Sequence, residues 1–241
     1  MLDDLEKAPE QSIIVLHACA HNPTGVDPTE EQWKGIMEVC KKRNHICFFD
    51  SAYQGYTSGD TNKDAWAFRL FADAGMPVLL AQSFAKNFGL YGQRVGTLSI
   101  ACDNAGEKDK VNSQLKLLVR AMYSNPPLGG AKVVETVLND AKLKEMWYGE
   151  IKTMSGRITQ MRNALVDELK NLGSPHNWQH IVDQQGMFAY TGLKKDMVLE
   201  LADKYHVYLI HSGRISIAGL NNNNVKLVAE GFHDVTKNTS F

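Results

Sequence analysis

Several signals that commonly announce a function are missing from this sequence. No run approaches the roughly 20 apolar residues of a membrane span. Neither charge sign is in excess: 26 Lys and Arg against 27 Asp and Glu leave a net charge of -1. That balance argues against a broad electrostatic partner such as nucleic acid. The one basic cluster, Lys41-Lys42-Arg43, closes an amphipathic helical pattern and reads as helix-dipole complementation. The four cysteines, Cys19, Cys40, Cys47 and Cys102, form no CxxC pair. Cys47 lies in an apolar run, where a free thiol behaves as a small hydrophobe, and a reduced compartment fits better than a secreted one. There is no P-loop, dinucleotide GxGxxG or nucleophile elbow. Residues 1–10 are acidic and polar, and resemble neither a signal nor a transit peptide.

What is present is an alternation. Apolar, β-branched runs at 12–18, 45–50, 77–82 and 95–102 read as buried strands. Helical patterns lie between them at 30–43 and 64–74. Thr29 is placed to cap the first of these, with Gln32 at the capping-box position. Buried strands alternating with helices predict an α/β fold with a mainly parallel sheet and covered faces. Ligands of such sheets sit at the carboxyl ends of strands. After Cys102 the texture turns helical, at 107–123, 128–138 and a long 141–172. The expected division is a large domain over 1–152 and a small one over 153–241, joined by the helix near 141–172. The second domain has an apolar run at 187–190; strands are expected at 207–210 and 215–218, and helices at 194–204 and from about 224.

Lys86 follows the strand at 77–82, inside a run from Ser83 to Gly96 that carries glycines at 89, 92 and 96. Those glycines would let backbone pass close to something bulky. With Phe84 and Phe88 on either side, the amine is expected to be partly desolvated, which favours its neutral, nucleophilic form. Arg94 brings a planar fork suited to phosphate oxygens. An amine of this kind beside a phosphate-binding arginine suits a pyridoxal phosphate (PLP) Schiff-base site; a plain surface lysine is the alternative.

Asp50 ends the strand at 45–50. A carboxylate there needs a cationic partner if buried, and a protonated pyridine nitrogen would serve. Tyr53 and Asn22 are candidate donors to the ring's phenolate oxygen. The alternative is a turn cap with a packing tyrosine. Arg214, between Gly213 and Ile215, suits a substrate carboxylate or an interdomain ion pair. Arg120 is a second candidate clamp, or an ordinary helix-terminal arginine. His17, Cys19 and His21 alternate as metal ligands on a strand would, but no fourth ligand or second cluster accompanies them, so no metal is expected.

The segments 17–25 (HACAHNPTG), 50–55 (DSAYQG), 83–96, 123–127 (YSNPP), 176–180 (HNWQH), 185–188 (QGMF) and 213–216 (GRIS) together resemble the class I PLP-dependent transaminases, on their eukaryotic-type aspartate aminotransferase branch. The resemblance runs the length of the chain. It implies a type I PLP-transferase fold. It implies PLP as cofactor, with Lys86 forming the internal aldimine and moving the proton. Asp50, Tyr53, Asn22, Ser83 and Arg94 are then cofactor-binding. Arg214 binds the α-carboxylate beside Asn22 and Phe188. Arg120 binds a side-chain carboxylate in a partner subunit, with Ser124 and Asn125 near it. The implied reaction converts aspartate and 2-oxoglutarate to oxaloacetate and glutamate, ping-pong through pyridoxamine phosphate, in a homodimer without nucleic-acid or membrane partners. Ala121 departs from the family's usual proline. The resemblance places Met1 deep inside the family's large domain, so the chain reads as a carboxy-terminal portion, expected to be weakly active or inactive alone. It does not separate cytoplasm from mitochondrion. An aromatic transaminase, a β-lyase or decarboxylase, and a non-catalytic fragment are the alternatives.

Overall fold

The computed structural model describes residues 1–239. They form two compact units. The first comprises Met1–Ala18, Pro28–Gln54 and Ala65–Tyr148; the second comprises Cys19–Asp27, Gly55–Asp64 and Gly149–Phe241. Two short segments that the expected boundary near 152 gave to the large domain therefore group with the second unit.

The first unit begins with helix α1 (Leu2–Lys7), then strand β1 (Ile13–His17), α2 (Glu30–Lys42) and β2 (Ile46–Ser51). The short α3 (Thr61–Asp64) belongs to the second unit, and α4 (Trp66–Asp73), β3 (Val78–Ser83) and β4 (Gly96–Ile100) return to the first. The sheet order is β1-β2-β3-β4, with the first three parallel and β4 antiparallel to β3. Helix α2 starts as its sequence predicts. The Thr29 side chain accepts from the Gln32 amide, and the Gln32 side chain accepts from the Thr29 amide.

One sheet face is a dense core. Leu16, Phe49, Val78 and Leu80 lie under Trp33, Ile36 and Phe71 from the helices. The Phe49 and Phe71 rings meet edge to face at 5.1 Å. Burying each such ring stabilises by roughly 2–3 kcal/mol. The opposite face differs from expectation. Ile13 and Val15 are 66% and 62% exposed, and Leu98 of β4 is 48% exposed. Period-two alternation sends Leu16 inward and Val15 outward, so β1 is buried on one side only.

Three further helices follow: α5 (Ala105–Tyr123), α6 (Leu128–Asn139) and α7 (Ala141–Asn171). No residue of α5 is buried. Helix α7 crosses from the first unit to the second. In its second-unit part, Ile151, Ser155, Ile158, Met161, Arg162, Leu165, Val166 and Leu169 form a buried stripe.

The second unit continues with α8 (Gln179–Asp183), β5 (Phe188–Tyr190), α9 (Lys195–Tyr205), β6 (Arg214–Ser216) and α10 (Val225–Thr236). Strands β5 and β6 pair antiparallel. Residues 207–210, expected as a strand, are irregular. Tyr208 is 77% exposed there, and among the described residues no strand pairs with this run; it meets β6 only through the Ile210 amide, which donates to the Arg214 carbonyl. Gly231 lets α10 approach α9 closely, because a Cβ there would stand 2.8 Å from the Leu201 side chain. Among the described residues, no helix is long and apolar enough to cross a membrane.

Candidate active site

In the first unit the candidate residues gather at the carboxyl ends of β1, β2 and β3. The register sets His17 beside Asp50, and Asp50 beside Ala81. Paired positions share a face, so His17 and Asp50 project together from the open side of the sheet. Their side chains approach to 3.9 Å. Phe49 and Ser51 turn inward, and the Asp50 side chain is 52% exposed, so its carboxylate keeps contact with solvent. Ala81 carries only a methyl group, which leaves the face beside Asp50 low.

Lys86 sits on a turn closed by the Gly89 amide donating to the Lys86 carbonyl, with Gly89 at φ +66. The turn is pinned on its far side. Asn87 is buried and donates to the Gln54 carbonyl, and its own carbonyl accepts from the Trp147 indole at 2.7 Å. Phe88 stacks on Trp147 at 4.5 Å and meets Phe84 edge-on. The phenylalanines thus pack the turn. The rings that face the amine are Tyr53 and Tyr91, whose centroids lie 4.9 and 5.1 Å from Nζ. Tyr91 lies inside the Ser83–Gly96 run, but the sequence alone gives no signal that its ring faces the amine.

Arg94 is exposed at φ +50, and its guanidinium donates to the Tyr91 carbonyl. The Ser83 hydroxyl accepts from the Ala85 amide. Of the three glycines in this run, only Gly96 answers a close approach. A Cβ there would stand 2.4 Å from the Gln82 carbonyl oxygen, so the bulky neighbour is the adjoining strand. Gly92 has open space around it. Arg120, on α5, donates to the Ser124 hydroxyl. The two line an open hollow with Asn112, Lys116 and Asn125.

In the second unit a different group assembles. The Arg214 guanidinium donates to the Asn22 side-chain oxygen at 2.6 Å and lies 4.5 Å from the Phe188 ring centroid. Arg214 pairs with Tyr190 across β5 and β6, which puts it on the same face as Phe188. Asn22 precedes a cis Pro23. The Asp27 carboxylate accepts from the amides of Ala20 and His21, and so fixes the loop that carries Asn22. Beneath Phe188 lies Arg162, which sequence reasoning missed. It is 2% exposed and donates to the carbonyls of Ile181, Gly186 and Phe188 at 2.6–2.7 Å. Burial pulls its pKa down to about 10. An arginine in the apolar stripe of 158, 161 and 165 was the available signal.

The histidine and cysteine alternation does not make a cluster. His21 bonds Thr24, and burial raises the Cys19 thiol pKa well above its ordinary value. Among the described residues, no group of three or more His, Cys, Asp or Glu is placed to hold a metal ion.

Comparison with known proteins supplies the context. The chain is 53% identical over 236 residues to the mitochondrial aspartate aminotransferase of Gallus gallus, covering 98% of this chain and 56% of that one. It thus spans about half the length of that curated relative. A mitochondrial aspartate aminotransferase structure from Trypanosoma brucei superposes with a TM-score of 0.96 at 51% identity, over 98% of this chain and 62% of that one. An aromatic-amino-acid aminotransferase from Burkholderia pseudomallei, covalently bound to pyridoxal phosphate, gives 0.97 at 43% identity, over 98% and 59%. The fold is that of these enzymes, the type I α/β fold of PLP-dependent transferases with a mainly parallel sheet. A model of aminotransferase classes I and II matches residues 1–232, and the chain belongs to that family.

Proposed function

We propose that the protein takes part in PLP-dependent transamination between aspartate and 2-oxoglutarate, giving oxaloacetate and glutamate. The observation that carries this reading is Lys86, held on a pinned turn with its amine 4.9 and 5.1 Å from the ring centroids of Tyr53 and Tyr91. The donor set around it fits pyridoxal phosphate: an amine for the aldehyde, an exposed carboxylate at Asp50, and Arg94 with Ser83 for the phosphate.

When bound, the cofactor supplies an electron sink for negative charge developing at the substrate α-carbon. Asp50 would hold a proton on the pyridine nitrogen. The Tyr53 hydroxyl and the Asn22 amide would donate to the ring oxygen. Lys86 Nζ would take the α-proton from the substrate and later return it. Arg94 and Ser83 would anchor the phosphate. Arg214 binds the α-carboxylate, and Phe188 supports the arginine from its ring face. Arg120 binds the second carboxylate across a homodimer, near Ser124 and Asn125. Two arginines suit two carboxylates, since each guanidinium can bind bidentately. Cytoplasm and mitochondrion both fit this reading.

The test is an absorption scan. The wild-type chain mixed with pyridoxal phosphate is expected to develop a visible band that Lys86→Ala lacks. An unchanged band in the variant removes Lys86 from the site. Replacing aspartate by phenylalanine as amino donor tests Arg120; equal rates would assign the aromatic class.

A further inference from the structure

Arg162 has no counter-charge: among the described residues no carboxylate pairs with it. Burying an unpaired guanidinium is costly, and a methionine of similar length would fill the same space at lower cost. What an apolar residue cannot do is hold three carbonyls at once. Two of those carbonyls lead to Arg214. The Phe188 carbonyl belongs to the residue whose ring lies 4.5 Å from the Arg214 guanidinium. The Gly186 carbonyl belongs to a residue at φ +82 pressed against Ala20, where a Cβ would stand 2.5 Å from that of Ala20. Two residues beyond Ala20 is Asn22, which accepts from Arg214 at 2.6 Å. One buried fork therefore braces both supports of the half-buried Arg214.

We propose that Arg162 is a positioning residue for carboxylate binding by Arg214, setting the Phe188 ring and the 20–22 loop without touching the ligand. The proposal rests on the reading of Arg214 as a carboxylate clamp. A ring held at a fixed distance attracts the guanidinium without neutralising it, so its hydrogen bonds remain available to an anion. If the ring and loop drift, Arg214 samples more rotamers and must be reordered on each binding event, which lowers affinity.

The experiment titrates the full chain, supplied with pyridoxal phosphate, with succinate, an unreactive dicarboxylate, by calorimetry. Because Arg162→Ala leaves three carbonyls bare and risks unfolding, Arg162→Lys is used; it keeps the charge but cannot fork. A second arm, Phe188→Leu, leaves the main-chain bonds to Arg162 in place and removes only the ring. Each is expected to weaken succinate binding by roughly fivefold or more. The double variant is expected to lose less than the product of the two, as for residues acting through one contact. The visible band of the bound cofactor is expected to stay unchanged in all three, which general destabilisation would not allow. Wild-type succinate affinity in Arg162→Lys or in Phe188→Leu, or multiplicative losses in the double variant, overturns the positioning role alone. Wild-type affinity in Arg214→Ala overturns the clamp reading, and this proposal with it.

Discussion

Lys86 and Arg214 are held by the same device. Each cation lies on an aromatic face, Tyr53 and Tyr91 for the amine and Phe188 for the guanidinium. An aromatic quadrupole attracts a cation without neutralising it, so the charge is oriented yet open to an incoming anion. Between them in the chain, Gly96 plays a purely spatial part. Gly96→Ala drives a methyl group toward the Gln82 carbonyl, and the β3–β4 pair must shift. The expected cost is about 1–3 kcal/mol, read from the urea midpoint. An unchanged midpoint would mean that β4 moves freely. At this scale the sequence singles out Lys86, Asp50, Tyr53 and Arg214 as candidates, because residue type and strand-end position coincide there. It was silent on Arg162, because one arginine in an apolar stripe does not reveal that carbonyls distant in sequence converge on it.

Elements were legible where both faces or caps are local. The Thr29 capping box needs only four residues, and it formed as expected. Strand burial was less legible. Val15 and Leu16 are both apolar, and only what packs on each face separates them. The run 207–210 had strand-like composition but no strand to pair with. The loop at 55–58 depends on a buried carboxylate. Asp64 accepts from the amides of Gly55, Thr57 and Ser58 and from the Ser58 hydroxyl. Burial nonetheless wins over these donors and raises its pKa. The folded state thus binds this proton more tightly than the unfolded chain does. The contribution of Asp64 to stability is fully present below the unfolded value of about 3.9 and is lost as pH rises through the raised folded value. Asp64→Asn keeps an acceptor oxygen and removes the titration. Its stability is expected to fall less steeply than wild type from about pH 4 upward, measured by urea unfolding across pH. Parallel profiles would locate the pH dependence elsewhere.

For the whole molecule, the open sheet face is the feature with the clearest physical consequence. Ile13, Val15 and Leu98 expose apolar surface on edge strands, a geometry that promotes self-association. Val15→Thr, which keeps β-propensity and adds a hydroxyl to the open face, is expected to reduce light scattering of the 241-residue chain with little change in melting temperature. Scattering equal to wild type would shift attention to the exposed apolar residues of α5, such as Leu117 and Met122.

The chain changes unit after residues 18, 27, 54, 64 and 148. That order imposes a timetable on synthesis. All four strands of the first sheet have been made by Ile100. The segment around Gly25, however, must wait for Gln184 and Gln185, and Gly55 for Ile151. At about 5–20 residues per second, the first wait lasts on the order of ten seconds. Throughout it the 19–27 loop hangs from a strand already made. The Asn22–Arg214 bond waits longer still, until Arg214 itself has been made.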